Sequence, residues 1–251
     1  MSRNLQREKN IEEKWREARN SALIMFGSAV GALAIGLPFN NYVHKLANPD
    51  RSPPAIERSI TDINYSLDPV NLPLYSVEGK LLRAQRFHHL FDHYESINQL
   101  EPGLLAGLAI QESFAEPTML NFSNDGGVGK FQFMPGTARD YGLNVYGNSN
   151  STRRDLSHGR QMRSLVNKYN NNLEDLIKYD DRFDPVKSTD AAARYLRFLI
   201  DKHSGNVDAA ISAYNQGRPA RNPRNTRHVQ GVRRYQDAYL SYIQENGTQR
   251  R

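Results

Sequence analysis

Glu101-Pro102-Gly103-Leu104-Leu105-Ala106-Gly107-Leu108-Ala109-Ile110-Gln111-Glu112-Ser113 reads as a helix that is apolar almost throughout and carries a carboxylic acid in its last turn. Pro102 at an early helical position and Glu116-Pro117 beyond Ser113 bound it. Leu104, Leu105, Leu108 and Ala109 face a core, and Glu112 follows Leu108 by one turn. The C-terminal end of a helix favours cations, so the dipole does not support a carboxylate there. Apolar surroundings also disfavour the charged form and raise the pKa. Those are the conditions for a general acid near neutral pH. Taken alone, Glu112 reads as an ordinary exposed helix glutamate, and other residues must decide.

The neighbouring segments are helical too. Leu81, Leu82, Phe87, Leu90, Phe91 and Tyr94 recur at helical spacing from about Lys80. A short helix opens at Pro135-Gly136-Thr137 and runs towards Tyr141, residues 144–157 read as a surface loop, and 164–177 as a weak helix. Ser188 or Thr189 is expected to cap a helix from Asp190 to His203. Val207 to Tyr214 and Val229 to Ile243 complete the set. No convincing strand alternation occurs, so the expected fold class is mainly α.

Two further stretches bear on chemistry. Gly126-Gly127-Val128-Gly129 permits positive φ and close backbone approach to a ligand. Lys130-Phe131 follows it, so the Gly-Lys-Ser/Thr ending of a phosphate-binding loop is missing. Gln132 and Met134 could offer an amide and an apolar wall to a sugar, with Phe131 and Phe133 facing the core. Ala213-Tyr214-Asn215-Gln216-Gly217 closes a helix with glycine, an ordinary helix stop, while giving Tyr214 a ring and hydroxyl and Asn215 an amide suited to a saccharide. His88, His89 and His93 form a cluster, but zinc needs further ligands and no His-Glu-x-x-His pattern is present, so an exposed helix face is preferred and no metal or cofactor is expected.

The chain of 251 residues carries 33 Lys+Arg against 27 Asp+Glu, a formal net charge of +6, which suits an anionic partner. The bias is strongest from Arg218 to Arg251, where eight arginines face only Asp237 and Glu245. A solvated tail and an anion-binding segment are both open there, and no DNA-reading motif occurs, so no nucleic acid is expected. With Cys 0, disulfides, thiolate zinc sites and a cysteine nucleophile are excluded.

Residues 1–20 read as a charged helix and residues 21–39, SALIMFGSAVGALAIGLPF, as an uncharged stretch just long enough to span a membrane. The positive excess before it favours an inside N-terminus and an outside remainder. An uncleaved anchor is preferred over signal-peptide cleavage near Ala32-Leu33-Ala34 or a buried helix. Residues 40–79, interrupted by Pro49, Pro53, Pro54, Pro69 and Pro73, read as an extended linker. The helical domain is expected over 80–243 and a basic tail over 244–251.

Glu112-Ser113, Gly129 to Pro135 and Ala213 to Gly217, in that order, resemble the three core motifs of the lysozyme-like lytic transglycosylase family. Pro135 to Leu143 and Asp184 to Leu196 are similar to the subgroup related to membrane-bound murein transglycosylase D and the soluble lytic transglycosylases. The likeness runs from about Leu100 to Tyr235, broken by a basic insertion at 144–179. It implies a two-lobed helical domain around a saccharide cleft. Glu112 would be the sole acid and base, with Ser113, Gln132, Met134, Tyr214 and Asn215 around the substrate. The reaction it implies cleaves the MurNAc-β-1,4-GlcNAc bond of peptidoglycan strands and leaves 1,6-anhydro-MurNAc. Three residues depart from the family pattern: Lys130, Gln216, and His228 where the family has a tyrosine, a place that Tyr235 could take instead. Asp125, in the loop before Gly129, is the one nearby candidate for the second carboxylate of a muramidase. A non-catalytic glycan-binding domain is the third reading. An envelope secretion or conjugation machine, or a phage virion, would be the setting.

Overall fold

The computed structural model describes residues 72–248. The expected charged helix, the span at 21–39 and nearly all of the 40–79 linker lie outside the described residues. Among the described residues no helix is long and apolar enough to cross a membrane. The elements are α1 (Val77–Gln85), α2 (His88–Ile97), α3 (Leu104–Ser113), α4 (Pro135–Asp140), α5 (Leu156–Lys168), α6 (Leu173–Leu176), α7 (Pro185–Lys202), α8 (Val207–Gln216), a 3-10 turn (Pro223–Asn225) and α9 (Arg227–Thr248). The only β-structure described is a pair of isolated bridges, Leu120 to Val128 and Val128 to Phe133.

The helix that ends in Glu112 is the centre of the domain. Every residue of α3 from Leu104 to Ile110 is buried, as expected for a helix apolar on all sides. Its first turn is held by Glu95 of α2, whose carboxylate accepts the Gly103 and Leu105 amides at 2.8 and 2.7 Å. Burial pushes the Glu95 carboxyl up to about 7, against the pull of those two bonds. At the other end Phe114 and Ala115 adopt left-handed conformations, with φ of 60° and 58°, and stop the helix just past Glu112. Helix α9 crosses α3 at close range. A Cβ on Gly107 would lie 2.5 Å from the Val232 carbonyl, so only glycine fits that crossing.

The core divides in two. A large cluster joins α1 to α3 with α7, α8 and α9, through residues such as Phe87, Phe91, Leu108, Phe131, Leu196 and Val232. A smaller one consists of Val128, Met162, Leu165, Leu176 and Phe183. The segment read as a basic insertion therefore builds its own apolar cluster, against Val128 of the glycine loop.

Several boundaries differ from the sequence reading. Asp184, not Ser188 or Thr189, caps α7, accepting the Val186 and Lys187 amides at 2.8 and 3.1 Å. Pro185 then occupies the first helical turn, where its fixed φ and missing N–H cost nothing. Ser188 and Thr189 lie inside the helix and are buried. Helix α5 begins earlier than expected because Asp155 accepts the His158 amide at 3.0 Å. The stretch to Ile177 is split by Asn170 and Asn171, both at positive φ. The expected tail over 244–251 is not separate as far as Thr248, because α9 continues through it. From Arg227 to Thr248 the arginine-rich C-terminal segment is therefore helix, while Arg218, Arg221 and Arg224 lie exposed in the stretch before it.

Candidate active site

Glu112 and His228 face each other across the α3–α9 contact. Glu112 Oε1 lies 3.5 Å from His228 Nε2, with the two side chains 15% and 11% exposed. Burial first, and the negative charge of Asp125 second, push the Glu112 carboxyl up to about 8. Burial lowers His228 to about 4, so near neutral pH its imidazole is uncharged. The Nε2 atom makes no hydrogen bond. A protonated acid therefore sits beside a neutral base.

The loop from Met119 to Met134 lies alongside. Its backbone is held by side chains that donate to its carbonyls. Ser113 Oγ donates to Lys130 O at 2.8 Å, and Tyr214 Oη to Phe131 O at 3.0 Å. Gln132 Nε2 donates to Gly129 O at 2.7 Å and Met119 O at 3.2 Å. Arg182 Nη1 donates to Gly126 O at 3.0 Å and Phe133 O at 3.1 Å. Loop carbonyls buried without partners would cost about 1–3 kcal/mol each, so these donors set its shape. Gly129 has φ of 79°, and a Cβ there would collide with the Arg182 carbonyl. Asp125 turns the loop by accepting the Gly127 amide at 3.0 Å.

The residues singled out in the sequence thus separate. Glu112 lies in the last turn of α3 with its carboxyl beside His228. Ser113 is buried with its hydroxyl committed to the backbone, so it faces the loop's interior rather than a cleft surface. Gln132, at φ of 50°, and Tyr214 also spend polar atoms on the loop. Tyr214 remains close enough to Glu112 that burial and then this carboxyl hold its phenol well above the ordinary value. Met134 is half-buried and Asn215 exposed. Tyr235 is buried, and its hydroxyl accepts from Lys80 Nζ at 2.9 Å. His228, not Tyr235, stands beside the acid. The register of α9 against α3 decides this, because the two residues are seven apart on that helix.

Other residues were missed in the sequence. Arg182 and Asp180 form a fully buried ion pair at 2.7 Å, and Arg182 Nη2 also lies 2.8 Å from His158 Nε2. The acid-rich run Asp180-Asp181-Arg182-Phe183-Asp184, just before a helix-opening proline, was the available signal. Lys130 is buried too. Its Nζ donates to Pro185 O at 2.5 Å and Ser188 Oγ at 3.2 Å and lies 4.7 Å from the Phe87 ring centre. Burial holds its pKa well below the ordinary value. Tyr141, Tyr195 and Tyr214 form a row with ring centres 5.1 and 5.0 Å apart, beside Phe133. Of the histidine cluster, His88 pairs with Tyr239 and Asp92. Among the described residues no group of His, Asp and Glu gathers as a metal site.

An apolar helix thus ends in an acid of raised pKa, with a glycine loop clamped against it and a Tyr-Asn helix end on the same loop. The family model described as "Transglycosylase SLT domain" matches residues 89–177 and 159–230, more than half of the chain. The chain belongs to this family of lytic transglycosylases acting on peptidoglycan. No curated protein and no solved structure matches it.

Proposed function

We propose that the protein cleaves the β-1,4 bond between N-acetylmuramic acid and N-acetylglucosamine, with Glu112 as sole acid and base and a 1,6-anhydro-muramyl end as product. The observation that carries this is the state of Glu112: mostly buried, raised to about 8, and beside an imidazole that is neutral at working pH. Glu112 donates its proton to the glycosidic oxygen as that bond breaks. The acetamido oxygen of the muramyl residue stabilises the positive charge at the anomeric carbon, so no second carboxylate is required. Glu112, now a carboxylate, takes the proton of the muramyl 6-hydroxyl. That oxygen bonds to the anomeric carbon and closes the anhydro ring. The acid ends the cycle protonated, and no water is consumed.

In this reading the two apolar clusters are lobes flanking a saccharide cleft. The glycine loop with Met134 forms one wall, and Tyr214, Asn215 and the tyrosine row form another. Ser113 and Gln132 act through the loop they hold. The test is digestion of purified peptidoglycan followed by mass spectrometry. Anhydro-muramyl ends are expected, and reducing ends alone would overturn the proposal. One observation favours that second outcome. Asp125 is near enough for its charge to raise Glu112, and it could direct water in a muramidase. A glycan-binding domain without activity would leave the wall uncut.

We also read residues 21–39 as an uncleaved membrane anchor and 40–79 as the spacer to a domain acting on the outer side. Local wall opening by a secretion or conjugation machine, or by a phage virion, fits such a tethered enzyme. Fractionation tests the anchor: the full chain should pellet with membranes and a chain lacking residues 1–39 should not.

A further inference from the structure

The proposed chemistry leaves one conspicuous feature unused. Between Asp208 and Asp237 the chain has no acidic residue and six arginines. Four of them, Arg218, Arg221, Arg224 and Arg227, recur at every third position through the segment joining α8 to α9, and all four are exposed. Both roots of this segment are in the site. Tyr214, whose ring lies near Glu112, precedes Arg218 by four residues, and His228 follows Arg227 directly.

The segment is built rather than slack. Gly217, with φ of 74°, turns it out of α8, and the Ala220 amide donates to Ser212 Oγ at 3.0 Å. Pro223–Asn225 forms a 3-10 turn, and Thr226 Oγ1 donates to the Pro223 carbonyl at 2.8 Å. Arg224 Nε meets Asp208 Oδ2 at 2.9 Å, yet its side chain remains 88% exposed. Arg218 and Arg221 form no ion pair among the described residues. A preformed loop of this kind loses little entropy on binding, and free guanidinium groups match carboxylates with two parallel hydrogen bonds.

We propose that this arginine comb is a subsite for the carboxylates of the peptide stems on muramyl residues, so that stem-bearing glycan is preferred over bare glycan. The proposal rests on the reading of Glu112 as the acid of a peptidoglycan-cleaving cleft. A strand stripped by an amidase keeps only one lactyl carboxylate on each muramyl residue, close to the sugar ring, whereas an intact stem carries its carboxylates further out, within reach of the comb. A stem attached to the muramyl residue at the cleft leaves along its rim and carries its carboxylates past the loop. The attraction acts over a Debye length of about 8 Å in physiological salt, so the preference weakens as salt is added.

The experiment uses the full chain and two substrates: glycan strands with intact stems, and the same strands stripped by an amidase. The readout is the ratio of kcat/KM on intact strands to kcat/KM on stripped ones. In R218A/R221A that ratio should fall roughly three- to tenfold, the order expected for two solvent-facing charge contacts. R218K/R221K should restore much of it, and R218E/R221E should lower it further. An unchanged ratio in the alanine variant would overturn the proposal, as would an equal loss on both substrates. So would a variant whose only defect is lost binding of duplex DNA. If the unmodified protein cuts neither substrate, the reading of Glu112 fails instead, which is a distinct result.

Discussion

Replacing Glu112 by glutamine should abolish cleavage and, at alkaline pH, make the protein more stable. The carboxyl is raised from 4.5 to about 8, chiefly by burial. In the unfolded chain it ionises near its ordinary value, whereas the folded protein holds the proton until about pH 8. Across that window the native state binds more protons than the unfolded state, so stability falls as pH rises. Each unit of pKa difference is worth roughly 1.4 kcal/mol, so the native protein should lose on the order of 5 kcal/mol on account of this one group. Glutamine does not titrate. The margin of Glu112→Gln over the parent should be small near pH 5 and grow to about that size by pH 8. Glu95 is also raised, to about 7, but it is present in both proteins and cancels in the difference. The assay is urea unfolding of both proteins across this pH range, with peptidoglycan digestion run in parallel. A margin that stays flat with pH would refute the argument that burial holds Glu112 protonated. Undiminished digestion by the variant would remove Glu112 from the chemistry altogether.

His228→Lys should place a cation 3–4 Å from the acid, lowering its pKa and moving the alkaline limb of the kcat/KM profile to lower pH, with a loss of about tenfold or more at neutral pH. Arg182→Met leaves Asp180 buried without its partner and should cost about 3–5 kcal/mol, read by thermal or urea unfolding. Gly129→Ala forces a side chain into the Arg182 carbonyl at positive φ, and both stability and activity should drop, because the loop cannot close over Val128. Tyr214→Phe removes one hydrogen bond to the Phe131 carbonyl and should cost about 1 kcal/mol, with a larger effect on kcat than on stability if the loop wall shifts.

The helical class, the central apolar helix and Glu112 were legible because each depends on local pattern. A run of Leu, Ala and Ile at helical spacing has few alternatives, and an acid at its end stands out. Helix starts were harder. Asp184 was passed over for Ser188 and Thr189 because all three residue types cap helices. Only the conformation of the Asp184-Pro185 step decides among them. Ser113, Gln132 and Tyr214 stand out by their place in motifs, and all three meet the glycine loop. What motif position could not say is that their polar atoms serve backbone carbonyls instead of an open surface.

The sequence by itself determined the class of fold, the carboxylic acid at the end of its central helix and the glycines needed for a tight loop, since those follow from spacing and side-chain chemistry along a few neighbouring residues. Tertiary structure alone decided which partner meets that acid. His228 is separated from Glu112 by more than a hundred residues, and the packing of α9 on α3 puts it beside the acid while the Tyr235 hydroxyl meets Lys80. It also decided that Arg182, marked in the sequence only by the acidic run around it, braces the glycine loop. Burial, and with it the raised carboxyl on which the proposed chemistry rests, belongs to no residue alone, because it comes from what other segments bring to cover it.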